Sequence, residues 1–407
     1  MARVQPRIQT TDISCFELVH PVTSITDDNS TALLEAEDLP FPRSGHRIVV
    51  TGHYLYCLGG YNPQLWSEDQ REDTYYPLFK ELWRFNLLTR RWVRLPNKDG
   101  MPVELASHAV GLLSDKYLVV VGGTGVPFGH SSSNDVHVCA LSTLHWRKLK
   151  CRGNSPQKQY GHAMAIKEGG PSGDEIYVVG GTTGFTYHTD VHRLILGHED
   201  EGEGVWENLT PPDPGPPARY RHEVVLWEDS LLVLGGGTSD SVFTLKQLPS
   251  FHIPTRTWSN VTTTADPYKG FPAARRCHAV VCLGHWAFVV GGFNGYDVLR
   301  DWWRLNLRTL EWHQHKPNIP RPVFFHHAAV SKAGCMYVFG GVVSADNEHR
   351  CNEVYRAWLQ APPLLTCAAE ALVRHFPGLA AASLATLQEL GVPERIAFAI
   401  TDHPSLT

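Results

Sequence analysis

The sequence is poor in charge and has none of the features that mark export or membrane insertion. Only 19% of its 407 residues are charged while 43% are hydrophobic, so wholesale disorder is excluded and a buried core is within reach. A formal net charge of -5 gives no basic field for nucleic acid or an anionic membrane. No apolar run approaches the ~20 residues that span a bilayer, and the opening MARVQPRIQTTDISC lacks the apolar core of a signal peptide. The nine cysteines are odd in number and scattered without the spacing of a disulfide framework. That pattern predicts reduced thiols and a protein of the cytoplasm or nucleus. There is no His-Glu-x-x-His pair, nucleophile elbow, cofactor cradle or pair of carboxylates in the expected loops. We therefore expect no enzyme, no cofactor and no metal.

What is abundant is repetition. A Gly-Gly pair closes an apolar run six times: LYCLGG, LVVVGG, IYVVGG, LLVLGG, AFVVGG and MYVFGG, ending at Gly60, Gly123, Gly181, Gly236, Gly292 and Gly341. A histidine precedes each pair (His46, His108, His162, His222, His278, His327), and five units carry a tryptophan after it (Trp92, Trp146, Trp206, Trp258, Trp312). The first glycine recurs after 63, 58, 55, 56 and 49 residues. Each unit reads as four antiparallel strands. Such a sheet has bare edges and an uncovered face, so six of them must stack into a ring. The histidines and tryptophans read as structural, at the inner strand and in the packing between blades. Histidine, glycine pair and tryptophan at this period resemble the kelch repeat over about residues 41 to 359. The resemblance implies an all-β, six-bladed kelch propeller over residues 43 to 359.

The sixth unit is incomplete, because NEVYRAWL runs into Pro362-Pro363 with no further strand. Upstream, ISCFELV (13–19) places Phe16 and Val19 where other units have Trp and Leu. Within the segment 1–42, residues 13–19 are therefore expected to close the ring.

In an antiparallel meander the start of strand 1 and the end of strand 2 share one end of the blade. The residues before each histidine then gather on one face of the propeller: RSG (43–45), LAS (105–107), QYG (159–161), RYR (219–221), RRC (275–277) and VFF (323–325). Arg219, Arg221, Arg275 and Arg276 fall on adjacent blades, with Arg43 further round and aromatic walls from Tyr160, Tyr220, Phe324 and Phe325. Guanidinium groups grip carboxylates or phosphates through paired hydrogen bonds, so this face predicts an anionic ligand held among aromatics. Any single arginine could instead bridge blades through a carboxylate such as Asp301.

The tail, residues 360–407, reads as helical and should leave from the opposite rim. Leu364, Ala368 and Leu372 make one apolar stripe, which fits either a partner's groove or the propeller's own rim. PLLTCAAEAL resembles an elongin-binding box at Pro363, Leu364, Ala368 and Leu372, with Ala368 where cysteine is usual. LGVPERIAFAI resembles a cullin-2 box at Val392, Pro393, Ile396 and Ile400. Together with GGTGVPFGHSSSNDVHVC, RYRHE and GFPAARRCH, these stretches make the chain resemble the kelch-repeat substrate receptors of cullin-2 RING ubiquitin ligases over about residues 41 to 400. The resemblance implies a non-catalytic adaptor that joins elongin B, elongin C, cullin-2 and its RING subunit. It also implies reading of C-terminal degrons, especially glycine-ended chains, and a role in ubiquitination and protein degradation. A kelch scaffold outside any ligase, binding a signalling protein or a phosphatase, would need the propeller but not the two boxes.

Overall fold

The structure, a computed structural model, describes residues 15–21, 39–65, 77–170, 173–197 and 203–401. Residues 13–14 of the expected closing strand, and residues 1–12 before it, lie outside the described residues. Each Gly-Gly repeat is one antiparallel sheet, in which short runs rich in β-branched and aromatic residues pair with their neighbours in sequence. Numbered along the chain, β1 is Glu17–Val19, and blade 1 is β2 (Arg47–Val50), β3 (Tyr54–Leu58), β4 (Leu82–Asn86) and β5 (Trp92–Leu95). Blade 2 is β6 (Ala109–Leu113), β7 (Tyr117–Thr124), β8 (Ser132–Ala140) and β9 (His145–Lys148). Next, β10 (Lys150–Gly153) pairs in parallel with the outer edge of blade 3, whose own strands are β11 (Ala163–Gly170), β12 (Gly173–Thr182), β13 (Tyr187–Leu196) and β14 (Glu203–Asn208). Blade 4 is β15 (Glu223–Trp227), β16 (Ser230–Leu234), β17 (Gln247–His252) and β18 (Thr257–Thr262). Blade 5 is β19 (Ala279–Leu283), β20 (Trp286–Phe293), β21 (Val298–Asn306) and β22 (Trp312–Gln314), and blade 6 contributes β23 (His327–Val330), β24 (Cys335–Phe339) and β25 (Val354–Trp358).

Blade 6 is completed by β1, which pairs antiparallel with β25 in the register Glu17↔Arg356, Leu18↔Tyr355, Val19↔Val354. The ring is thus closed by the N-terminal strand. Phe16 packs edge-on against Trp302 at 4.9 Å in the core between blades 5 and 6. Val19 enters the core between blades 6 and 1, beside Trp92 and Phe339. The remaining interfaces are filled in the same way, each by the facing sides of two sheets.

The inner strands carry a ring of buried histidines. Nε2 of His46, His162 and His222 donates to the carbonyls of Phe339, Val121 and Val179 in the preceding blade, at 3.0, 3.1 and 3.0 Å. Each acceptor is the residue before a Gly-Gly pair, and glycine is required there because a side chain has no room. A Cβ on Gly59 (φ +65°) would lie 2.4 Å from the Leu105 carbonyl. In the sixth repeat the ring member is His326, not His327. His326 is the one whose Cε1 abuts the space above Gly291, whereas His327 Nδ1 faces the backbone of Ile48. Two adjacent histidines left the frame ambiguous by one residue.

After β25, Pro362 and Pro363 stop the sheet, and α1 (Leu364–His375) begins. It ends at Phe376 because Pro377 cannot continue it, and a 3-10 turn follows at Pro377–Ala381. Then come α2 (Leu384–Glu389), capped by the Ser383 hydroxyl accepting from the Thr386 N–H, and α3 (Glu394–Thr401). These helices bury Ala369, Leu387, Ile396, Ala397 and Ile400 against one another and Leu88.

Two outcomes are expected from this packing. Deleting residues 1–20 removes Phe16 and Val19 and bares the β25 edge. Loss of one buried Phe alone costs about 3–5 kcal/mol, so the melting temperature should fall by several degrees or more; an unchanged value would show that β1 contributes nothing.

The second concerns acid. Burial holds the pKa of His108, His162, His222 and His326 down to about 3. Below the ordinary value near 6.5, the unfolded chain takes up these protons and the folded chain does not. Stability is then lost as pH falls, by up to about 1.4 kcal/mol per pH unit for each histidine. Denaturant midpoints measured from pH 7.5 to pH 5.0, where most carboxylates stay ionised, should drop steeply, and a flat profile would contradict the assignment.

Candidate functional site

At the axis, on the end of the propeller where the inner strands begin, the six residues that precede the histidines form a closed circuit of backbone hydrogen bonds. Gly45 N–H donates to Phe325, Ser107 to Gly45, Gly161 to Ser107, Arg221 to Gly161, Cys277 to Arg221 and Phe325 to Cys277, at 2.7–3.0 Å. All six hold left-handed backbone, with φ between +54° and +66°. Four of them are not glycine, and a non-glycine residue rarely adopts this conformation unless its surroundings enforce it. The circuit aims the side chains of Ser107, Arg221 and Phe325 into the axial opening.

The arginines divide by their distance from the histidine. Arg43, Arg219 and Arg275, three residues before it, are buried and work inside the blade. Their Nη1 groups donate to the first glycine of their own pair (Gly59, Gly235, Gly291) at 2.9, 3.0 and 2.9 Å. Arg43 also binds Glu81 at 2.6 Å, and Arg275 makes a two-pronged pair with Asp301 at 2.9 and 3.0 Å. Arg219 lies over the Phe243 ring instead, and burial lowers its pKa to about 10. These three do not reach the open face.

Arg221 and Arg276 do. From blade 4, Arg221 extends across the axis, donating through Nη2 to the Ser107 hydroxyl of blade 2 and covering the Phe325 ring of blade 6 at 4.5 Å. Its Nε is buried with no partner, and burial pulls its pKa down. Glycine at 161 leaves room for its neighbour Tyr220, since a Cβ there would lie 3.0 Å from the Tyr220 ring. Arg276 donates to the carbonyls of Thr238 and Ser239 over Phe293. Among the described residues, no carboxylate lies within ion-pair distance of Arg221 or Arg276.

Of the four expected aromatic residues, Phe324 is buried in a small core cluster, while Tyr160, Tyr220 and Phe325 are partly exposed. Phe324 stacks on Phe293 and touches Phe325, at 5.3 and 5.0 Å. Tyr220 meets Tyr187 at 5.2 Å, and Tyr160 lies 6.2 Å from Phe128, which in turn packs on Tyr61. Sequence reasoning missed Phe128, Tyr187 and a third cation, Arg350. The last donates to Ser44 Oγ at 3.0 Å and lies over Tyr61. Phe128 and Arg350 sit in connections of variable length, and Tyr187 opens β13 just after one. The bridge Ser44↔Tyr61 brings these two contacts together, and Arg350 Nη1 also donates to the carbonyls of Asn347 and Glu348.

The tail occupies the opposite end of the propeller. Its helices lie against Gly52, His53, Leu87, Leu88, Ser331 and Ala333, all in turns at the far ends of the strands, around a cavity of about 380 Å³. Arg356, 4% exposed at its side chain, binds Glu17 of β1 through Nε and Glu370 of α1 through both Nη atoms, at 2.6 and 2.9 Å. Asn86 and Arg91 donate to the carbonyls of Ala399 and Ala380. The stripe on α1 turns as it goes, because fourfold spacing overshoots the 3.6-residue turn. Leu364 is 87% exposed and Ala368 exposed, while Leu372 is half-buried in the tail core. In the second box Ile396 is buried, Val392 half-buried and Pro393 exposed.

Residues 9–236 and 171–360 match the KLHDC2/KLHL20/DRC7 Kelch-repeats domain. The chain is 41% identical to Kelch domain-containing protein 10 of Xenopus laevis over 370 residues, covering 90% of this chain and 87% of that one. It is 42% identical to the Homo sapiens protein of that name over 358 residues, covering 87% and 78%. With the Drosophila melanogaster homolog it shares 38% over 386 residues, covering 88% and 61%.

Proposed function

The chain belongs to the KLHDC2/KLHL20/DRC7 Kelch-repeats family, and on that premise we propose that it is a non-catalytic receptor for protein C-termini. Its tail helices would couple it to elongin C, elongin B and cullin-2 with its RING subunit, so that bound chains are marked for degradation in the cytoplasm or nucleus. The observation that carries this reading is Arg221, a guanidinium at the mouth of the axis with a free buried Nε and no carboxylate partner. A buried cation without a counterion favours an anion that arrives from outside. Arg276 and Arg350 stand on the same face, and aromatic rings form the walls.

A peptide's terminal carboxylate fits that chemistry, because it is charged at neutral pH and accepts paired donors. Glycine at the chain end suits a floor crowded by Phe325 and Tyr220, since it brings no side chain to meet them. Docking of the tail on the opposite end leaves the pocket open while α1 presents Leu364 and Ala368 outward. Such an exposed apolar stripe is how an amphipathic helix enters a partner's groove.

Two measurements test the reading. Arg221→Gln should weaken binding of a glycine-ended peptide by a hundredfold or more, the order of ~3–5 kcal/mol for breaking a buried charge pair. Amidating the peptide should have the same effect, and equal binding of free and amidated peptides would overturn the carboxylate. Arg275→Gln should instead lower stability, because it strands Asp301.

On the other face, Leu364→Ala should abolish recovery of elongin C and cullin-2 while peptide affinity stays unchanged. Truncating an anchoring Leu typically costs ~2–5 kcal/mol. Undiminished recovery would detach the tail from the ligase and favour the scaffold reading.

A further inference from the structure

Beneath Arg221 the axis is crossed by one ion pair. Arg47 of blade 1 reaches Glu223 of blade 4, on the opposite side of the ring, at 2.9 Å, and its Nε donates to the His108 carbonyl of blade 2 at 3.0 Å. Glu223 opens β15 two residues after Arg221, so their Cα atoms are at most about 7 Å apart, and both line the same small axial cavity. The other lining residues are Gly45, His46, Arg47, Cys277, His278, Phe325 and His326. Glu223 is the one carboxylate among them. Burial keeps His46, His278 and His326 neutral near pH 7. The axis therefore holds two guanidinium groups against one carboxylate.

We propose that Arg47 is a positioning residue that occupies Glu223 and so keeps the Arg221 guanidinium available to an incoming anion. This rests on the reading of the pocket as an anion site and adds what that site needs in order to stay open. Without Arg47, Glu223 would be a half-buried carboxylate with no counterion, and Arg221 is the one arginine left in the cavity lining. Coulomb attraction over so short a separation would draw the two together. The pocket would then carry its own internal carboxylate and refuse another.

The test is a cycle of three variants of the full chain, read with a glycine-ended peptide. Arg47→Gln should weaken binding tenfold or more, Arg47→Gln/Glu223→Gln should return it to within about threefold of wild type, and Glu223→Gln alone should bind at least as well as wild type. If Arg47 mattered only for folding, the double variant would remain as weak as Arg47→Gln, and that result would overturn the proposal. So would wild-type affinity in Arg47→Gln. A second readout needs no peptide: labelling of Arg221 by phenylglyoxal, followed by mass spectrometry, should fall in Arg47→Gln and recover in the double variant. Equal labelling in all three would also overturn it. Failure of the carboxylate reading looks different, because wild-type protein would then bind amidated and free peptides alike while the labelling pattern held.

Discussion

The circuit of six backbone hydrogen bonds around the axis is the constraint on which the rest of the structure depends. Each bond joins one blade to the next, so the circuit exists only when all six are present and the ring is closed. It forces left-handed backbone on Ser107, Arg221, Cys277 and Phe325, a conformation that a single isolated blade would not sustain. The reward for that strain is direction. Side chains that would otherwise alternate between the faces of a strand are turned toward one point, and Arg221 arrives there with its counterion missing.

That arrangement gives the propeller two ends with separate duties. The end where the inner strands begin gathers guanidinium groups and aromatic rings. The other gathers the hairpin turns, which are flat enough for the helices of the tail to rest on. Because the strands between them are closely packed, changes at one end reach the other only through the blades themselves. Arg356 is the nearest approach to a link, since it holds the closing strand and α1 with one guanidinium.

The architecture was legible in the sequence because repeats advertise themselves. Histidine, Gly-Gly pair and tryptophan recur in the same order although the intervals vary, and Phe16 and Val19 gave away the closing strand by imitating it. The site was harder to read. Arginine at positions 43, 219 and 275 looks the same on paper as arginine at 221 and 276, yet the first three donate inward to a glycine carbonyl. The distinguishing signal is the offset from the histidine, three residues against one or two. Arg43, Arg219 and Arg275 share that offset, but its meaning needed the glycine carbonyl that each of them meets in its own blade. Arg350, Phe128 and Tyr187 carried no such signal, since they stand in or just after connections whose lengths vary from blade to blade. The axial pair of Arg47 and Glu223 joins positions 176 residues apart, and no local pattern announces it.

The register of β1 against β25 has a mechanical consequence. Glu17 lies opposite Arg356 and Val19 opposite Val354, so the chain enters β1 and leaves β25 at the same end of the pair. Tension applied between the two termini, once the tail has lifted away, would peel these strands apart one rung at a time. A pair loaded in shear would resist with all its rungs at once. Blade 6 is therefore the seam at which a pulling force opens the propeller. Arg356 stands at the first rung of that seam, clasping Glu17 on one side and Glu370 on the other.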